Sequence, residues 1–546
     1  MVEGERDQFR LIHELTEIGI ALSAERNHDR LLEMILGQAE RITNADGGTL
    51  YSHTEDRTLK FEIMHTESLG IRMGGTSGTE VPFAPLPLYD AQGNPNHKMV
   101  AAHAALTRST VNIADAYRSR EFDFSGTRSF DQRTGYRSTS FLTVPMMNHE
   151  NDLIGVLQLL NARNPVSGQV QPFSALDQKL VESLASQAAV AVTNKSLIDA
   201  QRELFDSFIQ LIADAIDEKS PYTAGHCRRV PVLTTLLAQA VCTTEVGPLA
   251  GFTMTEDERY ELNVAAWLHD CGKITTPEWV VDKSTKLETI FDRVELVDTR
   301  FEVARRDAEI AALRRLLEAA GVADVETRLA GDAGLAAQLQ DLDRDRDFIR
   351  RCNVGGEFIT DADKARIALI AARRWRCPSG EIVPLLTDDE VYNLHIGRGT
   401  LTAEERDVIA NHVTVTIKML ESLPYPRHLR RVPEYAGGHH ERMDGSGYPR
   451  GLTRERMSIP ARMVAIADIF EALTAQDRPY KKPMRLSQAL TILGRMRLDN
   501  HVDGDLFDVF IREQVYMTYA RQYLRPEQID EVDLASIPGF APIRIG

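Results

Sequence analysis

Residues 174–219 contain neither proline nor glycine, although the chain has 23 prolines and 35 glycines. The two residue types that most readily interrupt a helix are therefore missing from this stretch. The pattern predicts one continuous helix, a rod of about 65 Å given the usual rise per residue. Ser220 and Pro221 end it, because a residue before proline disfavours the helical conformation. We expect this helix to link two halves of the chain.

A chain of 546 residues is too long for one hydrophobic core, so we expect two or three folding units. No apolar run reaches the roughly 18 residues needed to cross a bilayer. The N-terminus is acidic and amphipathic, unlike a secretory signal, which has a charged start and then an apolar stretch. These features predict a cytoplasmic protein without a membrane partner.

Charge and cysteine usage exclude several classes of function. The formal net charge of -17 disfavours a nucleic acid polymer or an anionic membrane as the main partner, because either requires a clustered positive patch. The five cysteines form no C-x-x-C pair, which argues against a disulfide framework and a cysteine-held zinc. An anionic substrate would need local positive charge, such as metal ions.

The N-terminal half carries two hairpin patterns. Residues 47–65 predict two strands around a polar turn, and residues 139–147 and 153–162 predict a second pair. Helical patterns flank these strands, which indicates an α+β domain. Apolar residues then repeat every seven positions along the linking helix, the spacing that lets two helices pack and that predicts a homodimer. The alternative is a helix that lies on its own domain. The repeat consists of Val190, Leu197, Leu204 and Leu211, beside Ala191, Ile198, Phe205 and Ile212.

A second heptad pattern runs from Leu287 and Ile290 to Ala311, and charged segments that could pack back on it follow. We interpret residues 287–397 as a helical hairpin insertion. Its charge is more typical of a solvated face than of a binding surface.

Histidines and aspartates recur at positions in or beside helical patterns of the C-terminal half. Taken singly, each histidine is more often a structural or surface residue than a ligand. Together they offer the nitrogen and oxygen donors that suit Fe, Mn or Zn, and imidazoles with a bridging carboxylate can hold two cations. The series comprises His226, His269, Asp270, His412, His439, His440 and Asp468.

The ordered set GH, HD-x-GK, H, HHER-x-DG-x-GYP, AD and RPY resembles the HD-GYP phosphodiesterases, the HD phosphohydrolases associated with cyclic di-GMP. The eleven residues HHERMDGSGYP make this resemblance specific. It implies an all-α HD-type domain in two parts, residues 200–286 and 398–546, separated by the insertion.

The resemblance implies that Asp270 bridges two divalent metal ions, Fe or Mn. One metal would be held by His226, His269, Asp270 and Asp468, and the other by Asp270, His412, His439 and His440. Some members place a glutamate that helps bind a third metal where this chain has Tyr222. A phenol is a poor ligand near neutral pH, which predicts two metals and a linear product, pGpG, with slow or no cleavage to GMP.

Asp270 and Lys273 are the catalytic residues that the resemblance implies, with Lys273 one helical turn beyond His269 and directed at the scissile phosphate. Tyr448 is expected either to stack on a guanine or to pack on its own domain. The implied substrate-binding residues are Lys273, Arg442, Tyr448, Arg478 and Lys481.

Residues 1–195 resemble a GAF domain, particularly those of cyclic-nucleotide phosphodiesterases. The motif of nucleotide-binding members, N-K followed by F-x-x-x-D-E, is present only in part, as Asn161, Phe173 and Asp177. These three residues are candidates for binding a small molecule or cyclic nucleotide, and a ligand-free dimerisation domain is the alternative.

Together, these features predict a cyclic di-GMP phosphodiesterase regulated by its GAF domain through the linking helix 174–219. Two alternatives remain open from the sequence. One is a receptor that binds a cyclic dinucleotide without turnover, and the other is an HD phosphohydrolase of another cyclic nucleotide, such as a cyclic GMP-AMP dinucleotide.

Overall fold

The computed structural model describes residues 13, 15–219, 225–320, 331–356, 358–475 and 483–540. The chain divides into two compact units, Met1–Phe205 and Asp206–Gly546. Within the described ranges, no helix combines the length and the apolar character that crossing a bilayer requires.

The first unit is an antiparallel sheet with helices. Its elements are β1 (Ala45–His53), β2 (Thr58–Thr66), β3 (Ile71–Gly74), β4 (Leu86–Pro87), β5 (Val111–Ile113), β6 (Phe141–Met147), β7 (Leu153–Arg163) and β8 (Val170–Gln171), with helices α1 (His28–Thr43), α2 (Val100–Thr107) and α3 (Ser125–Thr134). The strand order is β3-β2-β1-β7-β6-β5, with β4 beside β2 and β8 beside β7. Both predicted hairpins are present, as the pairs β1–β2 and β6–β7.

The alternation of apolar and polar side chains along the strands decides which face of the sheet is buried. Leu50, Leu142 and Leu157 point to one face, where they form a core with Leu36 of α1. The fourth helix, α4 (Ala175–Lys219), contributes Leu184 to the same core. The predicted linking helix is therefore continuous over nearly all of its expected length, and its last residues, 206–219, belong to the second unit.

The second unit begins with the end of α4 and is mainly helical. It continues with α5 (His226–Thr243), α6 (Glu256–Leu268), a 3₁₀ turn (Cys271–Thr275) and α7 (Glu278–Val281). After the insertion come α12 (Ala403–Glu421), α13 (Val432–Gly437), α14 (Ile459–Thr474), α15 (Leu486–Leu498), α16 (Gly504–Arg512) and α17 (Val515–Tyr523). Helix α5 packs against α6 and α14, and α12 packs against the 3₁₀ turn.

The insertion contains more than the predicted helical hairpin. Helices α8 (Val294–Ala320) and α9 (Ala333–Asn353) do pack together, and they are followed by α10 (Asp361–Ala371), a ribbon of β9 (Arg374–Arg376) and β10 (Ile382–Pro384), and α11 (Asp388–Leu394). These elements share a hydrophobic core of their own, with Phe301, Ile349 and Leu385 at its centre. The heptad prediction was wrong at Ile290, which precedes α8 and is 93% exposed.

Candidate metal centre

N-terminal capping residues mark the start of three helices that carry or precede the predicted ligands. Thr255 and Glu258 form a capping box at the start of α6, and Thr402 and Glu405 form another at the start of α12. The side chain of Ser458 caps α14 by accepting from a backbone N–H of its first turn. These caps fix where each helix begins and therefore which residues face the interior.

The structure brings all seven predicted ligands together. They come from different segments: His226 begins α5, His269 and Asp270 follow α6, His412 lies on α12, His439 and His440 follow α13, and Asp468 lies on α14. They form two clusters. The ligand atoms of His226, His269 and Asp468 lie within 4.8 Å of one another, and so do those of His412, His439 and His440.

Asp270 lies between the two clusters and directs one carboxylate oxygen to each. Its Oδ2 is 3.4 Å from Nε2 of His226 and 3.2 Å from Nε2 of His269. Its Oδ1 is 3.1 Å from Nε2 of His412 and 3.8 Å from Nε2 of His439. A carboxylate with this orientation has the geometry of a bridging ligand.

Backbone carbonyls orient three of the imidazoles. The Nδ1 atoms of His269, His412 and His439 lie 2.7, 2.5 and 2.6 Å from the carbonyl oxygen of the residue three positions earlier. Because a carbonyl only accepts, Nδ1 carries the hydrogen and Nε2 keeps its lone pair. Such contacts fix the tautomer that binds metal.

Several buried polar atoms of the centre lack a hydrogen-bond partner. They are Oδ1 of Asp270, Nε2 of His412 and Nε2 of His439. An unsatisfied buried polar atom destabilises a fold by about 1–3 kcal/mol, so three in one place need an explanation. Cations would satisfy all three, and the mixed imidazole and carboxylate donors suit Fe, Mn or Zn. The residues present therefore fit a metal centre.

The protonation states of His439, His440 and Asp270 suit cation binding. Burial lowers the pKa of His440 to about 4. Burial also lowers the pKa of His439 well below its usual value, so both imidazoles are neutral near pH 7. Burial would raise the pKa of Asp270, but the positive charge of Lys273 beside it outweighs this effect and holds the pKa well below its usual range. The carboxylate is therefore ionised.

The predicted substrate residues lie at different distances from the centre. Lys273 is not on a helix with His269, because α6 ends at Leu268; its ammonium instead reaches Asp270 from the 3₁₀ turn, with Nζ 2.5 Å from Oδ2. The ring of Tyr448 stacks on His440 at a centroid distance of 4.9 Å and remains 36% exposed.

Arg442 is exposed two residues after His440. Arg478 and Lys481 lie outside the described residues.

Glycine permits the close approach of the 3₁₀ turn to α12. A Cβ at Gly272 would overlap the carbonyl oxygen of His412. Its N–H donates to Oγ1 of Thr416 at 2.9 Å. The glycine in HD-x-GK therefore brings Asp270 beside the second cluster.

Glu441 closes the loop that carries Tyr448. Both oxygens of this buried carboxylate accept backbone N–H groups, from Arg450 and Leu452, each at 2.8 Å. Gly447 lies against the backbone of Glu441, where a Cβ would overlap it. The HHER motif thus supplies two candidate ligands and also a carboxylate that holds this loop, a role that the sequence did not reveal.

Glu471 is a further residue that sequence reasoning missed. It is buried, and its two oxygens contact Nδ1 of His226 and Nε of Arg229, the latter at 2.6 Å. Glu471 lies one turn after Asp468 on α14, so the two side chains share a helix face. That spacing, D-x-x-E beside a ligand, was the signal available in the sequence.

Replacing Glu471 with glutamine is expected to weaken metal binding by about tenfold, because ligand-orienting carboxylates typically contribute that much or more. The affinity is measured by competition with a chelator, and Glu434→Gln, an exposed change on α13, is the control. An affinity equal to that of the wild type would show that Glu471 does not orient His226.

The three candidate ligand residues of the GAF domain make internal contacts. Asn161 is buried, and its amide oxygen accepts from the N–H of Thr139 at 2.7 Å. Phe173 lies in the core between the sheet and the helices. Asp177 accepts from the N–H of Ser174 at 2.7 Å and so caps α4. These contacts stabilise the domain itself. They do not identify a ligand, so ligand binding by the GAF domain stays a proposal.

Two family models match the chain. Residues 27–192 match the GAF domain, and residues 387–506 match the HD domain. Among solved structures, the GAF domain of an Acinetobacter phosphoenolpyruvate-protein phosphotransferase covers 35% of this chain and 98% of its own length at 16% identity, with a TM-score of 0.25.

Three curated relatives share parts of the chain. The 3'3'-cGAMP-specific phosphodiesterase 1 of Vibrio cholerae serotype O1 is 48% identical over 81 residues, 15% of this chain and 19% of that protein. The 3'3'-cGAMP-specific phosphodiesterase 3 of the same organism is 23% identical over 418 residues, 73% and 62% of the two chains. A cyclic di-GMP phosphodiesterase of Thermotoga maritima is 43% identical over 126 residues, which cover 21% of this chain and 34% of that protein.

The chain spans less than two thirds of the length of each of these relatives. Both family matches agree with the motifs in the sequence, the GAF motif in the first unit and the HD motif in the second. The chain therefore combines a GAF domain with an HD domain, which confirms the resemblance drawn from its motifs.

Proposed function

We propose that this protein is a metal-dependent phosphodiesterase that hydrolyses cyclic di-GMP to linear pGpG. The observation that carries the proposal is the position of Asp270, whose two oxygens face two separate clusters of ligand atoms. In a phosphodiesterase that uses two cations, a carboxylate shared between them would hold them close enough to act on one phosphate.

Two divalent cations, Fe or Mn, would be held by the seven ligands, with Asp270 common to both. When bound, they supply positive charge that activates a water molecule and offsets the charge of a phosphodiester. Tyr222, on which the expectation of two rather than three cations rests, lies outside the described residues. The assignment of two metals and of pGpG as the product therefore belongs to the proposal.

Lys273 adds positive charge at the same place. Its ammonium contacts the carboxylate that both clusters share, so a phosphate drawn to the clusters would meet this side chain. A fixed positive charge at the position where negative charge develops is an effective way to lower a reaction barrier. Arg442, Tyr448, Arg478 and Lys481 are proposed to bind the rest of the dinucleotide.

A 3'3'-linked cyclic GMP-AMP dinucleotide is a second candidate substrate. Two of the relatives described above are named as phosphodiesterases specific for this compound. The chemistry at the phosphate is the same for both dinucleotides, so the metal centre serves either. Selectivity then rests on the residues that contact the bases.

The linking helix supports a homodimer. Val190, Leu197, Leu204 and Leu211 are exposed on α4, the last three to 60%, 58% and 62%. An exposed apolar row with a seven-residue period is the pattern by which two helices pack along a seam. A second copy of the chain is the partner that such a row fits, and a ligand of the GAF domain would act on catalysis through this helix.

The HD-type domain is proposed to comprise residues 200–286 and 398–546, with residues 287–397 inserted. The compact second unit begins at Asp206, close to that boundary, and the separate hydrophobic core of the insertion supports treating it as a distinct part. The GAF domain and its linking helix then occupy residues 1–195 and 174–219.

The test is to incubate the full chain, loaded with Mn²⁺ or Fe²⁺, with cyclic di-GMP, 3'3'-cyclic GMP-AMP or cyclic di-AMP and to separate the products by chromatography. We expect cyclic di-GMP to give pGpG with little GMP. Binding without any product would indicate a receptor, and faster cleavage of cyclic GMP-AMP would establish the second candidate.

A further inference from the structure

The last residue of the linking helix contacts the turn that carries Lys273. The Nζ of Lys219 donates to the carbonyl oxygens of Lys273 at 3.1 Å, Ile274 at 2.6 Å and Thr276 at 2.6 Å. An ammonium has three hydrogens, so all of its donors are used within one short segment. The Lys219 side chain is half-buried.

Two of these carbonyls, those of Ile274 and Thr276, need a partner, whereas the Lys273 carbonyl also accepts the N–H of Thr276 at 3.0 Å. They lie at the end of the 3₁₀ turn Cys271–Thr275, where the last carbonyl groups of a helical segment have few partners within the segment. Lys219 satisfies them from outside and so fixes the backbone from which the Lys273 side chain extends. The same turn holds the Lys273 ammonium against Oδ2 of Asp270.

A second contact from the same helical turn reaches the segment that carries His226. Asp217 is buried, and its Oδ1 lies 3.4 Å from the N–H of Cys227, the residue after His226. The last turn of α4 therefore borders both the segment that carries Lys273 and the segment that begins with His226.

We infer that Lys219 is a positioning residue, which holds the turn 273–276 so that the Lys273 ammonium stays at the bridging carboxylate. This inference rests on the proposed function for the role of Lys273 in turnover. It also identifies where the linking helix meets the catalytic machinery, because α4 ends at Lys219. A shift of this helix end would change the position of Lys273 without disturbing the imidazole ligands.

The first measurement is the rate at which an amine-acylating reagent modifies Lys273, followed by peptide mass spectrometry of the full chain. In Lys219→Met we expect this rate to rise severalfold, because the Lys273 ammonium is no longer held against Asp270. The control is Lys195→Met, the same change in the same helix at a lysine that pairs with Asp199. An unchanged labelling rate overturns the inference, whatever happens to turnover.

The second measurement is turnover of cyclic di-GMP. We expect Lys219→Met to lower kcat by about tenfold with unchanged metal content, and Lys219→Arg to recover part of the loss. In a Lys273→Met background, Lys219→Met should cause no further loss, whereas an additive loss would contradict a role through Lys273.

Should Lys219→Met fail to fold, Lys219→Gln, which keeps two N–H donors, replaces it in both measurements. A wild type that cleaves no dinucleotide would refute the proposed function, while the labelling rate would still decide this inference.

Discussion

Replacing Asp270 with asparagine is expected to abolish hydrolysis, with kcat lowered roughly a thousandfold or more, because one amide cannot offer an anionic oxygen to each of two cations. In the wild type, Oδ1 and Oδ2 face different clusters, so this single side chain is common to both. We expect the variant also to bind less metal. Turnover is measured with cyclic di-GMP, and metal content by elemental analysis of the same preparation.

Asp407→Asn is the matched control for this change. Asp407 is exposed on α12, the helix that also carries His412, so the same loss of a carboxylate occurs in the same unit. We expect its activity and metal content to equal those of the wild type. Near-normal hydrolysis by Asp270→Asn would refute the assignment of Asp270 as the bridging ligand.

Replacing Lys273 with methionine is expected to lower kcat on the order of a hundredfold, because a fixed charge near the reacting phosphate is lost. The metal content should change little, since Lys273 is not among the ligand residues of either cluster. Methionine keeps most of the volume of the side chain, so packing around the 3₁₀ turn is preserved. Steady-state kinetics separates the effect on kcat from the effect on KM.

Lys418→Met, an exposed change on α12, is the control for Lys273→Met. If Lys273→Met raised KM alone and left kcat unchanged, Lys273 would contribute to binding of the ground state and not to the transition state. That result would remove Lys273 from the catalytic residues.

The strands and the linking helix were predictable because their signals are local. The alternation of apolar and polar residues predicted a hairpin of β6 and β7. In the structure these strands pair, with Leu142 opposite Leu159. The absence of proline and glycine predicted α4. Neither feature depends on residues that are distant in the chain.

The convergence of the seven candidate ligands was predictable for a different reason. A specific motif identified these residues, whereas the pattern around each one alone did not. The orienting residues were missed because their contacts join distant segments: Glu471 meets His226 across 245 positions, and Lys219 meets Thr276 across 57. Spacing in the sequence gives at most a local signal, such as Glu471 three residues after Asp468, and does not identify the distant partner. The position of Lys273 was also wrong in detail, because α6 ends before the turn that carries it.

The insertion shows where the periodicity of apolar residues fails to predict which side chains are buried. The heptad from Leu287 included Ile290 and Ala311, yet both are exposed, whereas Leu287, Val297 and Phe301 lie in the core. Tertiary packing against α9 and β9 decides which face of α8 is buried, and a pattern of apolar residues alone does not identify that face.

Anomalous diffraction from crystals of the Mn-loaded protein tests most directly whether seven side chains hold two cations. The result predicted is a pair of anomalous peaks, one on each side of the Asp270 carboxylate, the first among His226, His269 and Asp468 and the second among His412, His439 and His440. A fully loaded crystal without a peak in either cluster, or with its metal bound only elsewhere, would contradict this account of the site.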